Sequence, residues 1–303
     1  MSEVTTEVAG RTLRLSNLDK ELFPNGFTKG EVIAYYHEVA PVILPHLAGR
    51  AVTRVRFPHG SSAPSFFEKN VPAGTPTWVR TIQVSGSHEQ VTYPVVDEVA
   101  TLIWLANLAA LELHTHQWHV DRTRQDVVIT SSTPVDHLVI DLDPGGGVSM
   151  DLIAAAALLV AGDLADDGLT SYPKTSGSKG LQLYVALPPT PVAAVRDYAN
   201  ALGERLVTSH PDLFVLQIGK AAREHRILLD LNQNLPGRTT ISPYSLRGRD
   251  RPTVSTPLRW SEVEAAVDGA SVVFTASEIP ARIDHHGDLF SGLLSGPRTP
   301  LPD

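Results

Sequence analysis

The chain has 303 residues, no cysteine, and 25 Lys and Arg against 33 Asp and Glu, a net charge of −8. Without Cys there can be no disulfide, Cys-ligated zinc, iron–sulfur cluster or thiol nucleophile. The overall sign argues against a diffuse basic nucleic-acid coat or an anionic-membrane binder, and 42% hydrophobic with 19% charged residues is the composition of a chain that buries its own core.

In chain order, Val8 to Leu15 alternates around Gly10 and predicts a hairpin. Thr28 to Ala40 predicts a helix with Thr28 as N-cap and Glu31 completing a capping box, limited by Pro41 and Pro45. Short strands are expected at Ala51 to Phe57, Ser65 to Lys69, Trp78 to Val84 and Gln90 to Pro94. Asp97 would cap an apolar core helix over Glu98 to Leu111. Beyond it, His137 to Leu142 reads as a strand and Ser149 as the cap of an Ala/Leu-rich helix to about Ala165. Strands at Leu169 to Lys174 and Leu181 to Leu187 flank a glycine-containing loop, and a helix starts at Pro191. Ile227 to Leu231 reads as a strand and Ser261 to Val267 as a short helix. The mixture predicts an α+β fold, with an N-terminal α/β lobe over 1–125, a second lobe over 126–290 and a tail or linker over 291–303.

The longest strongly apolar stretch, Leu152 to Ala161, is about half of the roughly 20 residues a spanning helix needs. The first ten residues carry Glu3 and Glu7 and lack the basic-then-apolar pattern of a signal peptide, so a cytoplasmic protein is expected. Charge is distributed unevenly. Residues 81–170 hold 13 acidic and 2 basic residues, whereas 171–260 hold 12 basic and 6 acidic. Such a division hints at an anionic ligand, although uneven surface decoration is the plainer reading.

Three patterns carry chemistry. Asp141 and Asp143 close an apolar strand and, two residues apart, share one face of it. Two carboxylates so placed repel each other unless a cation lies between them, and hard divalent ions such as Mg²⁺ and Mn²⁺ suit oxygen ligands. A solvated turn ahead of Pro144 and three glycines is the alternative. Second, Lys174 to Gly180 joins two strands. Gly177 and Gly180 would let backbone amides form an anion nest, with Ser176, Ser178 and Lys179 adding donors and charge suited to a triphosphate. Third, Asp230 sits inside an apolar strand, where an acid needs a partner. That partner is either Arg223 or Arg226, or a metal shared with Asp141. Weaker signals are His114, His116 and His119 around Trp118, which suggest zinc or simply a polar strand, and the adjacent aromatics Phe66 and Phe67.

These residues fall in a familiar order. VIDLDPGGG, TSGSKGLQLYVAL and LLDLNQN…TTISPYSLRGR…PTVSTPLRW resemble the polymerase domain of bacterial DNA ligase D, in the archaeo-eukaryotic primase superfamily. SNLDKELFPNGFTKGEVIAYY, ILPHLAGRAVTRVRFP, FFEKN and LELHTHQW resemble its N-terminal lobe, so the likeness runs from about residue 10 to residue 280. It implies a primase-polymerase fold with an RRM-like mixed sheet flanked by helices. It also implies a nucleotidyltransferase that adds NTPs or dNTPs to primer 3′-ends in gap filling and non-homologous end joining, by a two-metal mechanism with Mn²⁺ or Mg²⁺.

By the same resemblance, Asp141, Asp143 and Asp230 hold the metals, and His114 is an active-site histidine near the nucleotide. Ser176, Lys179, Gln182 and Arg247 hold the triphosphate. Phe66 and Phe67 pack on template DNA, and Asn17, Lys20 and Lys29 hold a 5′-phosphate at a gap or end. The implied partners are such DNA, a separate DNA ligase and an end-binding protein, with the chain associated with the nucleoid and no membrane involved. The chain departs from the family at Gln182, where relatives carry His, and at Val55, where many carry a basic residue. Gln donates a hydrogen bond but no positive charge. That departure keeps open a catalytically weak or inactive DNA-end-binding module, while the carboxylates alone would also suit a metal-dependent phosphohydrolase. Neither a ligase nor a nuclease segment is recognisable, so a stand-alone relative and a fragment of a longer ligase are both consistent.

Overall fold

The computed structural model describes residues 3–85 and 90–302, and the chain divides into two compact units. Unit 1 runs to Val128 and also takes Thr239–Ser255 and Phe274–Gly287. Unit 2 takes Ile129–Arg238, Thr256–Val273 and the chain from Asp288. A single division at residue 125 therefore assigns two returning segments to the wrong unit.

Unit 1 opens on the hairpin β1 (Glu3–Val8) and β2 (Arg11–Ser16). Ala9 and Gly10 between them both have positive φ, 47° and 76°, the tight turn that matches strand twist. In α1 (Lys29–Glu38) both halves of the capping box form: the Glu31 N–H donates to Thr28 Oγ1 at 3.3 Å and the Thr28 N–H to Glu31 Oε2 at 2.6 Å. Pro41 does more than end this helix. It lies in the first turn of α2 (Ala40–Leu47), where an absent N–H costs nothing, and Pro45 is carried inside. The strands β3 (Val52–Arg56), β4 (Phe66–Glu68), β5 (Thr81–Ser85) and β6 (Gln90–Pro94) follow.

Helix α3 (Val99–Asn107) is shorter than its apolar run. The chain reverses at Ala109, φ 58°, and the remaining apolar residues enter β7 (Ala110–Thr115), ahead of β8 (Asp126–Val128). A buried strand wants the same residues as a buried helix, so hydrophobicity did not mark the change. The core of unit 1 joins Leu13, Val32, Tyr36, Leu102, Leu105 and Leu113, all buried.

Unit 2 is built on β9 (Pro134–Pro144), α4 (Met150–Asp166), β10 (Ser171–Thr175), β11 (Leu181–Pro191), α5 (Val192–Ser209), β12 (Phe214–Val215) and β13 (Ile227–Asp230). Its sheet has the order β10-β11-β9-β13-β12, antiparallel except for β12 beside β13. The central strand β9 is apolar on both faces because both are covered: Leu138, Val139, Ile140 and Leu142 are fully buried.

The later chain alternates between units. β14 (Thr240–Ile241) extends a unit 1 sheet to the order β14-β7-β3-β4, and α6 (Trp260–Val267) packs on α4 in unit 2. α7 (Ile279–His286) lies in unit 1 and α8 (Ser291–Ser295) in unit 2. The segment expected to be a tail is thus structural. Phe290 and Leu293 are buried against Val139 and Tyr184, and Arg298 Nη1 donates to the Leu187 carbonyl at 2.8 Å. The fold is the mixed α+β class expected. Among the described residues no helix is long and apolar enough to cross a membrane.

Candidate active site

Strand register sets out the site of unit 2. Lys174 on β10 is paired with Gln182 on β11, Gln182 with Asp141 on β9, and Asp141 with Asp230 on β13. Residues paired across a sheet share a face, so these four form one polar row. Two residues along on the same face, Tyr172, Tyr184 and Val139 form an apolar row covered by Phe290 and Leu293. The last segment of the chain therefore closes one side of the polar row.

Asp143 lies two residues beyond Asp141 on the same face. Ligand oxygens of Asp141, Asp143 and Asp230 all fall within 4.8 Å of one another, the only such group of metal-ligating side chains among the described residues. The zinc alternative at His114, His116 and His119 is thus unsupported. His116 is buried between Tyr93 and Trp118, with Nδ1 3.1 Å from the Ala51 carbonyl, and burial pushes its pKa down to about 4.

The carboxylates fit a cation. Asp141 is buried and its Oδ1 has no hydrogen-bond partner. Burial, then Asp143, then Asp230 push its pKa up to about 7, against a Gln182 hydrogen bond and the Lys174 charge. Unpartnered carboxylate oxygen beside two further carboxylates is a hard-cation donor set. Asp230 is not neutralised by Arg223 or Arg226. It accepts from the Asn232 N–H at 3.2 Å and from Gln233 Nε2 at 3.2 Å, and Gln233 also reaches Asp141 Oδ2 at 3.4 Å. These amides orient the carboxylates without bringing a positive charge to them.

The loop from Ser176 to Gly180 differs from the amide nest expected of it. Four of its five amides are already used: the Gly177 N–H donates to Thr175 Oγ1, the Ser178 and Gly180 N–H groups to Ser176 Oγ, and the Ser176 N–H to the Gly180 carbonyl. Gly177 takes φ 69° to make this possible. What remains for a ligand is the Ser176 hydroxyl proton, the Ser178 hydroxyl and Lys179. Gly180 packs on the end of β9, where a Cβ would lie 2.4 Å from the Leu142 carbonyl oxygen and 3.5 Å from Asp143 Oδ1. The loop is thereby held against the carboxylates.

Lys174 is a residue that sequence reasoning counted only as the edge of the loop. It is fully buried, with Nζ 5.5 Å from the Tyr184 ring centroid, and its charge acts on Asp141. A cation one strand beyond Gln182 thus faces the acidic cluster even though residue 182 is uncharged.

Unit 1 gathers a second set. On β7, His114 Nε2 is 3.0 Å from Glu112 Oε2, while Glu112 Oε1 is 3.4 Å from Arg247 Nε and accepts from the Gly248 N–H at 3.1 Å. Burial raises the Glu112 pKa, but the His114 hydrogen bond, the charges of Arg247 and His114 and the Gly248 amide outweigh it and hold the carboxyl below its usual range. Glu112 is therefore ionised, and His114 Nε2 carries the hydrogen. Sequence reasoning missed Glu112, although an acid inside the apolar run LELHT is the signal that marked Asp230.

Phe66 and Phe67 are 51% and 60% exposed on the edge strand β4 and, being successive, point to opposite faces. Phe67 is on the His114 side, ring centroids 6.4 Å apart. The turn after β2 brings Asn17, Lys20 and Lys29 together. Asn17 adopts φ 54°, its carbonyl accepts from the Lys20 N–H at 3.1 Å, and the Lys20 carbonyl accepts from the Lys29 N–H at 2.8 Å. Lys29 Nζ donates to the Ser16 carbonyl at 2.6 Å, and its pKa is pushed down to about 8 by burial, with Lys20 and Arg56 adding repulsion.

A carboxylate trio at the end of a mixed sheet, with a Ser/Lys loop packed against it, is a donor set that could hold a metal ion beside an anionic ligand. The sequence profile described as "LigD, primase-polymerase domain" matches residues 28–290, and the chain belongs to that family. It is 40% identical over 281 residues to the "Multifunctional non-homologous end joining DNA repair protein LigD" of Mycobacterium tuberculosis, covering 92% of this chain and 36% of that protein. It is 36% identical over 289 residues to the "Bifunctional non-homologous end joining protein LigD" of Bacillus subtilis, covering 94% and 45%. The chain thus spans less than half the length of these curated relatives. The solved "Polymerase Domain from Mycobacterium tuberculosis Ligase D in complex with DNA" matches with TM-score 0.87 and 39% identity, covering 93% of this chain and 98% of that one. The matched family is described as a primase-polymerase domain, and these relatives are described as non-homologous end joining proteins.

Proposed function

We propose that the protein is a template-dependent nucleotidyltransferase that adds NTPs or dNTPs to a primer 3′-end at a gap or break carrying a 5′-phosphate. The observation that carries this reading is the trio Asp141, Asp143 and Asp230 beside the Ser/Lys loop. Divalent ions, two of them and either Mn²⁺ or Mg²⁺, would be held by these three carboxylates and would lower the pKa of the primer hydroxyl and neutralise the leaving pyrophosphate. Gln233 and Asn232 keep Asp230 and Asp141 turned toward one centre. Ser176 and Lys179, with Gln182 as a neutral donor, bind and orient the triphosphate. His114 and Arg247, both aimed by Glu112, add phosphate contacts. Phe67, with Phe66, supports the template base stack, and Asn17, Lys20 and Lys29 take the 5′-phosphate. Gap filling leaves a nick, so a DNA ligase is required downstream; with an end-binding protein it completes the set of partners. Work on DNA places the protein at the nucleoid.

The test is extension of a primer across a one-nucleotide gap, with and without the downstream 5′-phosphate, supplying each metal and each nucleotide class. Templated addition stimulated by the phosphate is expected; binding of the phosphorylated gap with no addition under any metal would instead establish a non-catalytic end-binding module. Glu112→Gln is expected to raise KM for the nucleotide by on the order of 10–100-fold, because Gln cannot balance charge on His114 and Arg247. Steady-state kinetics check this, and an unchanged KM contradicts it.

A further inference from the structure

We propose that unit 1 carries a second nucleic-acid contact, a phosphodiester-binding surface built on Arg122 and Arg124. The inference rests on the reading of the protein as DNA-bound. Residues 81–170 contain 13 acidic and only 2 basic residues, and those two are Arg122 and Arg124. Both lie on the connection between β7 and β8, and both line one cavity of about 690 Å³ together with Arg80, Thr81, Gln83 and Gln125. None of the residues assigned to the 5′-phosphate lines it. An adjoining cavity of about 400 Å³ shares Arg80 and Arg122 and adds Arg11, whose guanidinium lies 5.7 Å from the Trp78 ring centroid. Asp97 and Glu98 also line this smaller cavity and pair with Arg80 and Arg11, so the cations left for a ligand are Arg122 and Arg124.

The arginines differ in their commitments. Arg80 is fixed by Asp97 at 2.6 Å and by the Asp121 carbonyl at 3.0 Å, so it forms part of the wall. Arg122 and Arg124 form no ion pair among the described residues, and Arg124 acts on Asp121 only at longer range. One carboxylate, Asp126, lines the larger cavity against three arginines. The rest of its wall is amide and hydroxyl, groups that donate to phosphate and sugar oxygens. No aromatic or aliphatic side chain lines it, whereas a protein-binding surface needs such anchors at its centre. A sugar-phosphate backbone therefore fits better than an acidic protein segment.

The test compares the wild type with Arg122→Gln/Arg124→Gln and Arg122→Lys/Arg124→Lys, the second pair keeping the charge. Each is titrated onto a gapped, 5′-phosphorylated duplex with long flanks over a range of salt. Loss of two phosphate contacts is expected to flatten the log–log salt dependence by about 2 and to weaken binding on the order of tenfold at 0.1 M salt. The Lys pair is expected to retain most of the slope, which separates charge from a folding defect. Unchanged affinity and slope in the Gln pair overturn the proposal and would leave the cavity to another anion such as an acidic peptide. Nucleotide addition to the same duplex is followed alongside: a wild type that binds with full slope but adds nothing sinks the polymerase reading and not this one.

Discussion

Asp141→Asn is expected to abolish nucleotide addition and, at the same time, to make the metal-free protein more stable above neutral pH. The first effect follows from loss of the central carboxylate of three. Removing a ligand that fixes bound metal forfeits several kcal/mol of transition-state stabilisation, on the order of a 10³-fold fall in rate. The second follows from the raised pKa of about 7. A carboxyl whose folded pKa lies above its unfolded value favours folding while protonated. That contribution is complete below about pH 4 and is lost as pH rises through about 7, amounting to a few kcal/mol. Asparagine remains neutral and does not lose it. Metal-free wild type should therefore melt at progressively lower temperature than Asp141→Asn between pH 5 and 8. Added Mn²⁺ should restore the wild type, more so at pH 8 than at pH 5, and leave the variant unmoved. Calorimetry at several pH values checks both signs; a variant less stable than wild type at pH 8 without metal would show that Asp141 is structural.

Lys29→Met is expected to remove the preference for a 5′-phosphorylated end while sparing binding to the rest of the duplex. Met keeps most of the buried stem and loses the ammonium. A charge-assisted hydrogen bond to phosphate is worth about 1.5–3 kcal/mol, or about 10–150-fold in affinity. The wild-type preference should itself depend on pH. Because the folded pKa is lowered to about 8, the ammonium form is complete at pH 7 and depleted at pH 9, so affinity for the phosphate falls as pH rises through that value. The sign for stability is the reverse: burial of the charged form is unfavourable, and that cost fades between about pH 8 and 10.5. Paired titrations of 5′-phosphate and 5′-hydroxyl duplexes at pH 7 and 9 check this. A phosphate preference that survives in Lys29→Met, or that is the same at both pH values, contradicts it.

What the sequence made legible was mostly local. The capping box of α1, the hairpin turn at Gly10 and the shared face of Asp141 and Asp143 follow from spacing alone. The pairing of Asp230 with Asp141 was only a possibility until strand order was known, because antiparallel neighbours 89 residues apart leave no local mark. Pro41 looked like a stop because a proline that ends one helix and one that begins the next are alike in sequence. The return of Thr239–Ser255 to unit 1 was hidden for the reason that hid Arg247's link to Glu112: both are long-range contacts. The loop amides were expected to face a ligand, and only the structure shows Thr175 and Ser176 hydroxyls already accepting from them.

The most direct measurement is a Mn²⁺ titration of single-nucleotide incorporation on a gapped, 5′-phosphorylated duplex, with Asp230→Asn run beside the wild type. Metal-dependent, templated addition by the wild type, with at least about a 10³-fold loss in the variant, is the predicted result. Equal incorporation by both proteins, or none by the wild type at any metal concentration, would contradict the assignment of Asp141, Asp143 and Asp230 as the centre of a nucleotidyltransferase.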